Sequence, residues 1–355
     1  MIFASDNWAG AAEPIVAALA EQARNGGPAY GGDALSKAVE ARFCEIFERE
    51  VAVYFVGTGT AANALAIANY CRPGSIVFGH TQAHINVDEA NGLEFLGGGV
   101  KVVGLDGEGG KLTPSTLLDG LAAFPERGFH HGQPVAVSLS QANELGQAYS
   151  PAEVAAVTEV AKDKGLAVHM DGARFAGAVA GLGVSPADVT WKAGVDVLSF
   201  GGTKNGCLAA EAVVFFNPAQ ARDFGFARQR IGHGFSKAWF IAAQFARYLE
   251  GDTWLALAGH ANARARVLAD AVRSGREARL ALEPSANEVL AILTEGLDAR
   301  LKAAGAIYYP WSPAGMPADA LPGPGEVLVR FVTSFQTSED EVARFAALVS
   351  GSTTP

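Results

Sequence analysis

Short apolar runs alternate along this chain with longer stretches of helical periodicity, a pattern that predicts a largely parallel sheet covered by helices. Residues 51–56 form a compact β-rich run that enters Gly57-Thr58-Gly59-Thr60 and then an Ala/Leu-rich helix from about Ala61. Residues 75–78, after the turn at Pro73-Gly74, and residues 135–139 read as further strands. A helix is expected over 151–164: Ser150 is its N-cap, Pro151 lies in the first turn, Glu153 follows three residues after the cap and Gly165 ends it. Strands at 166–170 and 195–200 follow. The apolar run 211–216 comes too soon afterwards for a crossover, which points to an antiparallel pairing.

The pattern changes near Trp239. From there to about residue 276 it is helical, and beyond it 285–293 and 326–332 read as strands, with helices around 296–304 and 338–348. This suggests a large domain over 1–240, including an N-terminal arm, and a smaller α+β domain over 241–355. The Pro/Gly-rich stretch 310–325 reads as a surface loop within the smaller one.

Composition narrows the classes. With 49% hydrophobic and 18% charged residues, the 355-residue chain has an ordinary globular make-up and room for a substantial core. A formal charge of −10 disfavours general binding to nucleic acid or anionic membranes. Cys44, Cys71 and Cys207 are too scattered for a disulfide framework or a zinc site. The N-terminus lacks the basic and apolar regions of a signal peptide, and no run reads as a membrane span, so a cytoplasmic location is expected.

Three segments carry candidate chemistry. The strand–turn–helix at Gly57-Thr58-Gly59-Thr60 offers backbone N–H groups and threonine hydroxyls to an anion such as a phosphate, although alone it is equally a tight turn. His169-Met170-Asp171-Gly172-Ala173-Arg174 places an acid past the end of a buried strand, where open α/β sheets bind ligands. Phe200-Gly201-Gly202-Thr203-Lys204-Asn205-Gly206 sets a lysine in a glycine-rich turn 33 residues beyond Asp171, enough for an intervening helix and strand. A phosphate cradle, a carboxylate for a pyridine nitrogen and a lysine for a Schiff base are what pyridoxal 5'-phosphate (PLP) requires, and they occur in that order.

Asp171-Gly172-Ala173-Arg174-Phe175, Thr190-Trp191-Lys192-Ala193-Gly194-Val195-Asp196 and Phe200-Gly201-Gly202-Thr203-Lys204-Asn205-Gly206 together resemble the L-threonine aldolases, fold-type-I PLP enzymes of the beta-eliminating lyase group. Phe3-Ala4-Ser5-Asp6-Asn7, Ala29-Tyr30-Gly31-Gly32-Asp33, Ala83-His84 with Asp88-Glu89, and Gly109-Gly110-Lys111-Leu112-Thr113-Pro114 match too, from residue 3 to about 335. The resemblance is greatest to the low-specificity bacterial branch that also cleaves phenylserine. It implies an aspartate-aminotransferase-like α/β fold with a smaller C-terminal α+β domain.

The resemblance also implies roles. Lys204 would hold the cofactor and Asp171 its pyridine nitrogen. Gly59, Thr60 and the Ala61 N–H would hold the phosphate, and His84 would stack on the ring. Arg174 would contact the ring oxygen or the substrate carboxylate region, and Ser5 and Arg330 would bind that carboxylate. His84 or His130 is the candidate base, and Glu89 would orient His84 or water. Arg228, Arg230 and Lys237 would complete the phosphate site of a partner subunit in a homodimer or homotetramer. The bland alternatives are a solvent-facing strand residue for Arg330, helix-surface charge for Glu89 and surface cations for the last three. The implied activity is cleavage of β-hydroxy-α-amino acids to glycine and an aldehyde. The alternatives are another fold-type-I elimination or transamination, and a phosphate-ligand binding protein without catalysis.

Overall fold

The protein is described by a computed structural model that covers residues 1–125 and 129–351. Seven strands, β1 (Ala52–Val56), β2 (Ser75–His80), β3 (Lys101–Leu105), β4 (Gln133–Ser140), β5 (Ala167–Gly172), β6 (Val197–Gly201) and β7 (Glu211–Phe215), form one sheet in the order β1-β7-β6-β5-β4-β2-β3. β7 is antiparallel to both neighbours and the other strands share one direction. Only nine residues separate β6 from β7, too few for a helical crossover, so the chain turns back directly. β2, β6 and β7 are buried along their whole length, which explains their continuous apolar runs.

Helix signals were local and legible. Ser150 and Glu153 form the expected reciprocal cap of the helix Pro151–Asp163: the Glu153 N–H donates to Ser150 Oγ at 3.2 Å and the Ser150 N–H to Glu153 Oε2 at 2.7 Å. The helix after β1 starts earlier than expected, as Gly59–Ala68, because Thr58 is its N-cap. The stretch from Trp239 is two helices, Trp239–Leu249 and Thr253–Ser274. Gly251 and Asp252, at φ 55° and 58°, break it in a left-handed turn that periodicity alone does not register.

A second, antiparallel sheet follows: β8 (Ala278–Leu280), β9 (Glu288–Thr294), β10 (Tyr309–Pro310) and β11 (Glu326–Val332), in the order β10-β11-β9-β8. One face of β9 and β11, with Val289, Ala291, Leu293, Val329 and Phe331, packs with Leu268, Val272 and Phe345. Phe3 joins this core, edge-on to Phe331 and Phe345 at 6.2 and 5.7 Å between centroids. The N-terminal arm therefore packs against the smaller sheet, with Ile2 bridged to Ile307. The helix Thr253–Ser274 touches both layers, contacting the helices Phe175–Leu182 and Glu339–Ser350. Among the described residues no helix is long and apolar enough to cross a membrane.

Candidate active site

Parallel strands bring their carboxyl ends to one edge, and the turns after β1 and β6 open there beside the end of β5. At that edge a cleft of about 450 Å³ lies between the large sheet, the N-terminal arm and the smaller sheet. Ser5, Gly59, Thr60, His84, Asp171, Arg174, Lys204 and Arg330 all line it. A larger cleft, about 1140 Å³, lies at the opposite end of the strands, lined by Gln133, Pro134 and Ala167. It holds none of these residues, so size does not identify the site.

The turn after β1 presents the first backbone N–H groups of the helix Gly59–Ala68 to the cleft. Gly59 and Thr60 are there as expected, but Ala61 is not available: its N–H donates to Thr58 Oγ1 at 3.2 Å. The cap that starts the helix engages the donor that the resemblance had assigned to a phosphate. His233, not singled out by the sequence, accepts the Gly57 N–H on Nδ1 at 3.2 Å and braces the turn.

Asp171 is the penultimate residue of β5 and is buried. Its Oδ1 accepts the Ala173 N–H at 3.0 Å and its Oδ2 accepts Asn63 Nδ2 at 2.9 Å. Asn63 also donates to Glu89 Oε1 at 2.8 Å, and the same oxygen is 2.8 Å from His84 Nδ1. The sequence reading missed Asn63; the available signal was an amide in an otherwise apolar helix. The Glu89 hydrogen bond raises the pKa of His84 against the opposing effect of burial. Burial raises that of Glu89 itself, with His84 and Asn63 acting the other way. His84 and Glu89 thus form a hydrogen-bonded pair, and Glu89 is buried and not a surface charge.

Two more acids missed by the sequence line the cleft. Glu144 accepts the His84 backbone N–H at 2.9 Å; burial, then the charge of Asp171, pushes it up to about 7. Glu211, at the start of β7 opposite Val56 and Gly201, is pushed by burial to about 7. Lys204 sits in the helical turn Thr203–Asn205, anchored where Asn205 donates to the Tyr248 hydroxyl at 2.7 Å and to Trp254 O at 2.8 Å.

The facing wall is an ionic chain. Arg174 donates to buried Asp6 through Nε at 2.7 Å and Nη2 at 3.0 Å. Burial would raise the Asp6 pKa, but the charges of Arg174 and Lys204 prevail and hold it low. Arg174 Nη2 also lies 3.4 Å from Glu288, which lies 3.2 Å from Arg330 Nη1. The Arg330 guanidinium stacks 3.6 Å from the Trp311 ring centroid, and its side chain is 13% exposed, so it is no solvent-facing strand residue. Trp311 belongs to the stretch read as a surface loop, but β10 pairs the start of that stretch with β11.

His130 does not line the cleft, nor do Arg228, Arg230 and Lys237, which were expected to serve a partner's site. His130 is exposed, three residues ahead of β4, whereas Ser140 at the other end of that strand lines the cleft. Within one chain it cannot act there, which corrects its assignment as a catalytic residue of its own site. Arg228 donates from Nη1 to Phe55 O at 3.2 Å and stands over Tyr54, while Arg230 and Lys237 are exposed.

The sequence model of the Beta-eliminating lyase family matches residues 3–295. The chain belongs to the beta-eliminating lyase family. This lyase is 40% identical over 352 residues to the low specificity L-threonine aldolase of Pseudomonas aeruginosa, covering 98% of each chain. It is 37% identical over 346 residues to that of a Pseudomonas species, covering 97% of this chain and 96% of the relative. Its fold matches the Leishmania major threonine aldolase structure with a TM-score of 0.90 at 26% identity, covering 98% of both chains. A structure of SPT with PLP matches at a TM-score of 0.70 and 16% identity, over 99% of this chain and 86% of the other, a likeness of fold alone. The two-sheet lyase fold is that of the fold-type-I PLP enzymes, as the sequence led us to expect.

Proposed function

We propose that this lyase is a low-specificity L-threonine aldolase that uses PLP to cleave L-threonine, L-allo-threonine and related β-hydroxy-α-amino acids such as phenylserine to glycine and an aldehyde. The observation that carries the reading is the placement of Lys204, Asp171 and the His84–Glu89 pair in one cleft facing Arg330. The residues present fit PLP. Gly59 and Thr60 offer N–H groups for a phosphate at a helix start. Asp171 offers a buried carboxylate for the pyridine nitrogen, and Lys204 an amine for the Schiff base. Asn63 Oδ1, buried without a hydrogen-bond partner, leaves polar capacity beside Asp171. PLP, when bound, supplies the electron sink for the pair released as Cα–Cβ breaks.

The chain's own residues account for the rest. Arg330, held flat by Trp311, and Ser5 take the substrate carboxylate. His84 is the base for the β-hydroxyl proton: Nδ1 is held by Glu89, which leaves Nε2 for the cleft, and Glu89 stabilises the imidazolium once the proton is taken. Asp171 would offer its carboxylate to the pyridine nitrogen. Assembly into a homodimer or homotetramer with shared sites belongs to the same reading, with Arg228, Arg230 and Lys237 serving the partner. Exposed Phe226, on the helix that carries Arg228 and Arg230, supports a covered face there. The deciding experiment incubates purified protein with L-threonine, L-allo-threonine and L-phenylserine and quantifies glycine and aldehyde. Keto acids in place of glycine would point to elimination or transamination and overturn the reading.

A further inference from the structure

One acid in the carboxylate-binding wall has no part in the reaction above. Glu288 opens β9, and its side chain is wholly buried. Leu290 pairs with Arg330 across the β9–β11 ladder and Glu288 with Val332, so Glu288, Leu290 and Arg330 share one face of the sheet. That face carries the apolar cluster of Leu145, Leu290, Ile292 and Leu328. A lone carboxylate would be costly to bury there. Two cations hold it, since Oε1 is 3.4 Å from Arg174 Nη2 and 3.2 Å from Arg330 Nη1.

Neither approach has hydrogen-bond geometry, and both Glu288 oxygens are buried without a hydrogen-bond partner. Distance makes these contacts ion pairs, while the angles deny them the directional bonds that Asp6 makes to Arg174. Glu288 thus attracts both guanidiniums without taking up their N–H groups. Arg330 Nε likewise remains unpartnered. Two carboxylates, Asp6 and Glu288, already face the two guanidiniums, so an arriving carboxylate meets a wall whose charge is balanced.

We infer that Glu288 is a positioning residue that sets affinity, a buried counter-charge shared by Arg174 and Arg330 that weakens their hold on an α-carboxylate. The inference rests on the reading of Arg330 as the carboxylate site. Substrate and glycine both bear that carboxylate, so Glu288 loosens both equally and favours exchange of the product. It touches no reacting atom, so it acts on binding and not on the chemical step.

The test titrates glycine into the holoenzyme by calorimetry and measures KM and kcat for L-threonine, in wild type and in Glu288→Gln, Glu288→Met and Glu288→Asp. Gln keeps the shape, and Met suits the apolar neighbours. Both remove the charge, and both are expected to lower the glycine Kd and the KM together, roughly three- to thirtyfold, without raising kcat. Asp retains the charge and should stay within about threefold of wild type. A Kd that is unchanged or weaker in both neutral variants overturns the inference. So does failure of both to fold where Glu288→Asp folds, which would make the carboxylate a structural tie. If wild type binds glycine but cleaves no β-hydroxy-amino acid, the proposed reaction falls while the Kd ratio still judges Glu288. If glycine binds none of the proteins, the carboxylate role of Arg330 fails and the inference falls with it.

Discussion

Gly59, Asp171 and Lys204 reach the cleft from the ends of three strands of one sheet, in turns braced by hydrogen bonds to His233, Asn63, and Tyr248 with Trp254. The facing wall is drawn from several stretches of chain: Asp6, Arg174, Glu288 and Arg330 are linked by ion pairs, and Trp311 stacks on Arg330. On the first wall each group is placed by backbone geometry, so a substitution there removes a function and leaves the frame. On the second wall each group is also another's support, so a substitution shifts affinity through its neighbours.

The contrast is sharpest at Lys204. Lys204→Ala is expected to lower turnover by at least about a thousandfold. Borohydride reduction followed by peptide mapping should place the pyridoxyl group on Lys204 in the wild type, and a label on another lysine would sink the assignment. Next comes Asp171→Ala, expected to cost on the order of a hundredfold in kcat, with Asp171→Glu costing less because the charge persists. An alanine variant with wild-type turnover would place Asp171 outside the chemistry.

The ionic wall should respond in KM. Arg330→Ala is expected to raise the KM for L-threonine on the order of a hundredfold with PLP still bound. Arg330→Lys should recover only part of this, because an ammonium lacks the planar fork that stacks on Trp311. A collapse of kcat with KM unchanged would show that the two walls do not divide the work in this way.

The smaller effects are pH shifts on the first wall. Glu89's hydrogen bond raises the His84 pKa, so the neutral, base-competent imidazole is lost as pH falls through that raised value. Glu89→Gln removes the main cause and should move the acidic limb of the kcat/KM profile to lower pH; an unmoved limb would dissociate His84 from it. Glu144 carries a pKa raised from 4.5 to about 7. A raised acid stabilises the fold fully below its unfolded pKa, and that contribution is lost as pH rises through the folded one. Glu144→Gln should therefore raise Tm at pH 8 by on the order of 2 °C and leave it nearly unchanged near pH 4.5, a difference readable by calorimetry.

Features that depend on near neighbours can be read along the chain. Runs such as 211–216 become buried strands because apolar side chains fill both faces, and Ser150 starts a helix because its partner Glu153 is one turn away. The Gly59 turn, Asp171 and Lys204 were legible for the same reason: each lies at a strand end, and parallel strands bring their ends to one edge. Only the tertiary structure could decide the Ala61 donor, lost to Thr58, or the distance of His130, which the length of β4 carries to the far end of the sheet. The resemblance named Ser5, Arg174 and Arg330, but the structure alone reveals how the facing wall is held together. Asp6 meets Arg174 across 168 positions of chain, and Arg330 looks like a solvent-facing strand residue until Trp311 covers it and Glu288 lies against it. Charge acts through space, and the spacing of residues along a chain does not record which charges the packing of two sheets will bring together.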